Sequence, residues 1–222
     1  MNMEKSQKET LIIIDEQNDF NKSHGSLYVK GGEKTEDVIA DYIYKNHENI
    51  SDVVFTVDWH TSNHCSFNRN GGRWPDHCIQ YSEGAGISDK ILSVCIWYNI
   101  PVKIFRKGNS DEFEEYGAFH RIGLVTSHDE NGKHVGFNLV ANNMSNDSMV
   151  KFNTTNFVVC GIAGDYCVKS SIENLLKYKD NSSYNAIFNS INVSVLLDGV
   201  ASIDDGTTIK EFIKENNLNI VS

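Results

Sequence analysis

Short continuous apolar runs alternate along this chain with longer stretches in which apolar residues recur every three or four positions. The runs are Leu11-Ile12-Ile13-Ile14, Val53-Val54-Phe55-Thr56-Val57, Val102-Lys103-Ile104-Phe105, Val158-Val159-Cys160 and Val193-Ser194-Val195-Leu196-Leu197-Asp198. Runs this short, bounded by turn residues, are expected of strands buried on both faces of a parallel sheet. The periodic stretches predict helices over Thr35 to Asn46 (Val38, Ile39, Tyr42, Ile43), Ser88 to Tyr98 (Ile91, Leu92, Val94, Cys95, Trp97), Val168 to Leu176, and Thr207 to Asn216. Strands alternating with helices predict an α/β protein, a doubly wound three-layer fold with a central, mainly parallel sheet flanked by helices. Residues 16–20 and the glycine-containing loop after them read as irregular, residues 109–150 as a helix plus long loops covering the site, and Lys179 to Asn192 as a polar insertion. No repeat, linker or low-complexity tract divides the chain, so a single domain over residues 1–222 is expected.

Composition narrows the partners more than the fold. A formal charge of -10 and a pI near 5.2 repel phosphate backbones and anionic membranes, which leaves small-molecule chemistry as the expectation. Self-association is compatible with this surface. Five cysteines without a CxxC pair suit a reducing compartment rather than a disulfide framework. The amino-terminal segment MNMEKSQKETLIIIDEQ carries only four consecutive apolar residues, too few for a signal-peptide core or a membrane span, so a cytoplasmic protein is expected.

In an open parallel sheet the ligand site lies beyond the carboxyl ends of the strands. Asp15, Asp58, Lys107 and Cys167 each follow a separate predicted strand and should converge there. Taken singly, each has an ordinary reading: a turn-capping aspartate, a solvated loop lysine, a core cysteine. Cys167, however, closes a strand-turn-helix passage and should sit at the positive end of a helix, where the thiolate is favoured. Asp58-Trp59-His60 extends a strand, so the side chains of Asp58 and His60 project to one side, as two ligands of one metal would. His64 and His77 supply further imidazoles, and mixed carboxylate and imidazole ligation suits several divalent ions.

Five segments in this order, IIIDEQNDF, VDWHTSNHCSF, WPDHCIQYSEGA, FRKG with EEYGAF shortly after, and VVCGIAGDYCV, resemble the isochorismatase-like cysteine hydrolases and, within them, the nicotinamidases. The resemblance runs from about residue 11 to 200. It implies a catalytic triad of Asp15, Lys107 and Cys167, an oxyanion hole from the N–H groups of Ala163 and Cys167, and a cis peptide before Ala163. It also implies one divalent ion, zinc with iron or manganese admissible, on Asp58, His60 and His77, and places His64 in the surrounding water network. Phe20, Trp74 and Tyr116 match ring-contacting positions. The implied reaction is hydrolysis of nicotinamide to nicotinate and ammonia through a cysteine thioester, a step of NAD salvage. The alternatives are a metal-free relative, such as an isochorismatase or carbamoyl-amide hydrolase, and a non-catalytic binding protein. The chain departs from the commoner pattern at Gly164, where the family usually has threonine.

Overall fold

The computed structural model describes residues 8–128, 130–179 and 186–222. Strand β1 (Glu9–Ile14) is followed by a one-turn helix α1 (Asn18–Asn21), helix α2 (Gly32–Asn46), strand β2 (Ile50–Asp58), helix α3 (Asp89–Trp97) and strand β3 (Val102–Lys107). Three strands β4 (Arg121–His128), β5 (His134–Asn142) and β6 (Met149–Lys151) come next. The chain then enters strand β7 (Asn156–Ile162), a π-helical turn (Gly164–Val168), helix α4 (Lys169–Lys179), helix α5 (Ala186–Asn189), strand β8 (Asn192–Ala201), helix α6 (Thr207–Glu215) and strand β9 (Asn219–Val221). No helix among the described residues is long and apolar enough to cross a membrane.

Among these residues one sheet has the order β3-β2-β1-β7-β8-β9, and every neighbouring pair is parallel. Its strands are apolar on both faces because both are covered. Leu11, Ile13, Val53 and Phe55 pack with Ile39 and Ile43 of α2 and Ile91 and Cys95 of α3. The alternate residues Ile12, Ile14, Val54 and Phe105 face the other way, against Ile172 and Leu175 of α4, Ile209 and Ile213 of α6, and the small sheet. Each such side chain taken out of water contributes about 1.5–3 kcal/mol before entropy is counted, so both layers are held mainly by this burial. At α3 the Ser88 hydroxyl accepts the Ile91 N–H, 3.3 Å, and satisfies one of the donors a helix leaves open at its start.

The chain builds outward from β1 to β2 and β3, then returns to the opposite side of β1 with β7. A crevice opens where the order reverses, beyond the carboxyl ends of β1 and β7. Ile14 pairs with both Thr56 and Gly161, and Asp58 pairs with Lys107, so these strands end nearly level. Whatever follows them in sequence meets in space.

Three sequence expectations need correction. Residues 109–120 are irregular, as expected, but the described residues from there to 150 contain no helix; the chain from Arg121 to Lys151 forms the antiparallel sheet β4-β5-β6. Its signal is the alternation that puts Ile122, Leu139, Ala141 and Val150 inward against Phe119 and Phe152, diluted in sequence by Asn138 and Asn142 at the alternate positions. Residues 18–21 form the short helix α1 within a stretch expected to be irregular. The proposed insertion at 179–192 lies partly outside the described residues (180–185), and its later part is not a polar loop, since Phe188 and Ile191 are buried in the core. The short edge strand β9 was not expected.

Candidate active site

Asp15 follows β1 with φ 49°, a left-handed conformation that an aspartate tolerates better than most residues, and the chain turns sharply there. The turn carries the carboxylate inward, fully buried, where Thr56 Oγ1 donates to Oδ1 at 2.7 Å. Lys107, the last residue of β3, is equally buried. Its Nζ lies 2.8 Å from Asp15 Oδ2, 2.5 Å from Asp58 Oδ1 and 3.6 Å from Cys167 Sγ, and donates to the Glu115 carbonyl at 3.3 Å. One ammonium therefore ties together the ends of three strands and the turn after β7.

Cys167 stands within the π-helical turn ahead of α4, whose N–H groups of Tyr166 and Val168 both reach back to the Ala163 carbonyl, at 3.1 and 3.0 Å. The Ile162–Ala163 peptide is cis. The departure at Gly164 has a local cause: a Cβ there would run into Ser202 Oγ and come within 2.8 Å of Val200 Cγ1, so the end of β8 occupies the space a side chain would need.

On the other side of Asp58 the imidazoles gather. His60 Nδ1 donates to the Gly108 carbonyl at 2.5 Å, and His77 Nδ1 to the Pro75 carbonyl at 2.8 Å. A carbonyl only accepts, so in both neutral rings the lone pair is left on Nε2. These atoms lie 3.5 and 3.9 Å from Asp58 Oδ2, and the buried His60 Nε2 has no hydrogen-bond partner. The three donor atoms of Asp58, His60 and His77 lie within 4.8 Å of one another. Two imidazoles oriented by backbone carbonyls and one carboxylate fit a divalent cation. Gly108, at φ 64°, makes the approach possible, because a Cβ there would come within 2.6 Å of the His60 ring. A second grouping, His60, His64 and Glu114, is equally compact; His64 stacks on His60 with centroids 3.9 Å apart, and its Nε2 also lacks a partner.

The electrostatics follow from burial set against neighbouring charge. Burial pushes the Asp15 carboxyl up and the adjacent Lys107 pulls it back, leaving it above the ordinary range. Burial opposes ionisation of Asp58 too, but Lys107, His60 and His77 outweigh it and hold this carboxyl well below the usual range. Burial likewise works against the charge on Lys107, yet Asp15, Asp58 and Cys167 raise its pKa well above normal. For Cys167, burial dominates: the thiol is pushed well up, Lys107 acts in the opposite direction, and Asp15 and Asp58 add to the rise. Burial thus works against the thiolate expected at a helix start, while Lys107 works for it and the Asp15 carboxylate stands ready to receive the thiol proton.

These groups border a pocket that opens to solvent. Cys167 and Ala163 form one part of its wall, Asp58, His77 and Glu114 another, and Phe20, Trp74 and Tyr116 a third. Asp15, Lys107 and His60 lie behind this lining. Trp74 Nε1 donates to Tyr116 Oη at 3.0 Å, which fixes the two rings relative to each other. Every site residue expected from sequence is thus brought to this pocket or directly behind it. Sequence reasoning missed Tyr166, Leu27, Val29 and Glu114, which also line the pocket. It also missed Gln17, whose amide accepts the Asp58 N–H at 2.8 Å and donates to the Asp58 carbonyl at 2.9 Å. Gln17 lies two residues after Asp15 in the quoted motif, a spacing that could have marked it; Leu27 and Val29 carry no comparable signal.

No protein-family model matches the chain. It is 29% identical to the nicotinamidase of Saccharomyces cerevisiae over 96% of this chain and 98% of that one. It is 30% identical to the nicotinamidase of Escherichia coli over 77% of this chain and 78% of that one. Among solved structures, the pyrazinamidase of Pyrococcus horikoshii in complex with zinc superposes with a TM-score of 0.67 at 26% identity, covering 97% of this chain and 99% of that one. With the same doubly wound sheet bringing a cysteine, a lysine and an aspartate beside a carboxylate and two imidazoles, the chain belongs to the nicotinamidase family of isochorismatase-like hydrolases.

Proposed function

We propose that this chain is a metal-dependent nicotinamidase, a single-domain amidohydrolase converting nicotinamide to nicotinate and ammonia. The observation that carries this reading is the division of one pocket between a thiol with its proton acceptor, Cys167 and Asp15, and an incomplete cation seat, Asp58, His60 and His77. A divalent ion held by those three residues, zinc in the light of the Pyrococcus relative with iron or manganese admissible, would supply a Lewis acid for the pyridine nitrogen.

The remaining chemistry belongs to the chain. Phe20 and Trp74 flank the ring and Tyr116 steadies Trp74, so the carboxamide is presented to Cys167 rather than left to rotate. Asp15 takes the thiol proton. Its raised carboxyl pKa narrows the mismatch with the thiol, which is what a general base needs. Lys107 holds the charge in place as the proton moves, and the sulfur attacks the amide carbon. The N–H groups of Ala163 and Cys167 are assigned to the oxyanion that forms. Asp15 then passes the proton to the departing amine, ammonia leaves, and a thioester remains on Cys167. Asp15 next draws a proton from water, whose hydroxide adds to the thioester carbon; as the C–S bond breaks Asp15 returns that proton to the sulfur, restoring the thiol, and the acid formed loses its remaining proton to solvent as the carboxylate. His64 is assigned to the water network at this end of the pocket. The product would enter NAD salvage, and the free cysteines suit a cytoplasmic setting.

Ammonia release from nicotinamide, pyrazinamide and benzamide, with and without chelator, tests the reading. Nicotinamide and pyrazinamide, which both carry a ring nitrogen meta to the amide, should be hydrolysed and lose turnover on chelation. Benzamide should be a very poor substrate. Benzamide turnover comparable to nicotinamide would favour the metal-free alternative.

A further inference from the structure

Arg73 immediately precedes the pocket residue Trp74 and is exposed. Its guanidinium carbon sits 4.8 Å above the Trp74 ring and 5.5 Å from the Tyr166 ring, both of which line the pocket. The two rings pack edge to face at 5.3 Å, and the Trp74 backbone is held by Ser66 and Asn68 through bonds of 2.9 and 2.7 Å. The cation therefore rests on a fixed two-ring platform. Among the described residues no carboxylate pairs with it, whereas nearby Arg69 is engaged by Asp76 at 3.2 Å. An uncompensated cation beside the pocket stands out in a chain whose formal charge is -10.

We propose that Arg73 is a product-handling residue: it binds the carboxylate of an aromatic monocarboxylic acid at the pocket mouth and discriminates this anion from the neutral amide. The inference rests on the nicotinamidase reading, in which a neutral amide enters and an anion leaves. The pocket lining holds no lysine or arginine, and the Lys107 ammonium behind it is already shared by Asp15 and Asp58, so no free cationic side chain inside the pocket meets the new carboxylate. Outside stands Arg73, with donors free to receive it. Guanidinium geometry matches a carboxylate in a way that an ammonium does not.

The test uses the metal-loaded enzyme and its Arg73→Met and Arg73→Lys variants. Methionine keeps the apolar stem on Trp74 and removes only the charge. Product inhibition by nicotinate should weaken about fivefold in Arg73→Met and less in Arg73→Lys, and the difference should shrink at high salt because the pair is exposed. Binding of 3-pyridinemethanol, a neutral isostere of the product, should change by less than about twofold. Equal losses for both ligands would make Arg73 a packing residue, and unchanged nicotinate inhibition would remove it from product handling; either result overturns the proposal. Benzoate binding to the same variants separates the two readings. If the unsubstituted enzyme fails to hydrolyse nicotinamide, the nicotinamidase reading falls, while an Arg73-dependent affinity for benzoate would still support carboxylate capture.

Discussion

The two halves of the pocket are built on opposite principles, although they share Asp58. Around Lys107 the charges close on themselves: one buried ammonium lies 2.8 and 2.5 Å from two carboxylates, and the Cys167 thiol completes the group. Around His60 the set is open, with an imidazole nitrogen turned toward Asp58 and left without a hydrogen-bond partner. Burial biases the His60 ring against charge, yet Asp58 more than reverses this, so the position between them attracts a positive charge. A closed charge network is complete within the fold, whereas an open one requires something from outside. On the proposed reading, this difference would separate proton transfer, performed by the chain, from ring recognition, which would use a cation.

The largest effect should come from removing the nucleophile. Cys167→Ala should lower turnover by about 10⁴-fold or more, as loss of a covalent catalyst does elsewhere, while elemental analysis still finds about one metal per chain. Substantial residual ammonia release would end the thioester mechanism. If metal were lost along with activity, the two halves would not be separate.

Breaking the closed half at its centre should rank next. Lys107→Met leaves Asp15 and Asp58 buried without their counter-charge, an arrangement that costs about 3–5 kcal/mol. Denaturant unfolding should register that loss, and alkylation of Cys167 should slow, because Lys107 opposes the rise of the thiol pKa. A variant as stable and as reactive as the parent would show that the network is not what its geometry implies. Breaking the open half should cost less in fold and more in recognition. His77→Ala should weaken metal affinity by about 10- to 100-fold or more and erode the preference for nicotinamide over benzamide. An unaltered substrate ratio at reduced metal content would detach ring recognition from this cluster.

The smallest effect on turnover concerns Glu16, adjacent to Asp15 in sequence but outside both clusters. Its carboxyl is buried, receives hydrogen bonds from Thr35 and Asn21, and is pushed up to about 8, chiefly by burial. A folded-state pKa raised above the unfolded value of 4.5 means that the folded protein binds the extra proton in that interval. Its contribution to stability is therefore full below about 4.5 and lost as pH rises through about 8. Glu16→Gln should flatten this decline in a melting-temperature profile. A parallel profile for the two proteins would show that Glu16 does not titrate in this window.

Much of this was legible in sequence, for identifiable reasons. Ile12 and Ile14 are buried on one face of β1 and Leu11 and Ile13 on the other, so an unbroken apolar run already encodes a covered, parallel strand. Asp15, Asp58 and Lys107 could be placed because a level parallel sheet converts "next after a strand" into "at the same edge". The small sheet β4-β5-β6 escaped because its alternation is set among polar residues, and pairing across a hairpin is decided by a partner strand rather than by either segment alone.

The sequence by itself determined the order of β1, α2, β2, α3, β3, β7, α4, β8 and α6 and the strand-end positions of Asp15, Asp58 and Lys107, since these depend on residue type and local periodicity, while the proposed metal donors came from the family resemblance. Only the tertiary structure decided the protonation balance. Whether Cys167 rests as thiol or thiolate depends on how deeply the fold buries it and which charges stand around it, and those neighbours come from β1, β2 and β3, as far as 152 residues away in the chain for Asp15. Gly164 makes the same point sterically: the residue that leaves no room for a side chain there is Ser202, which the packing of β8 brings to that turn and which no local pattern reveals.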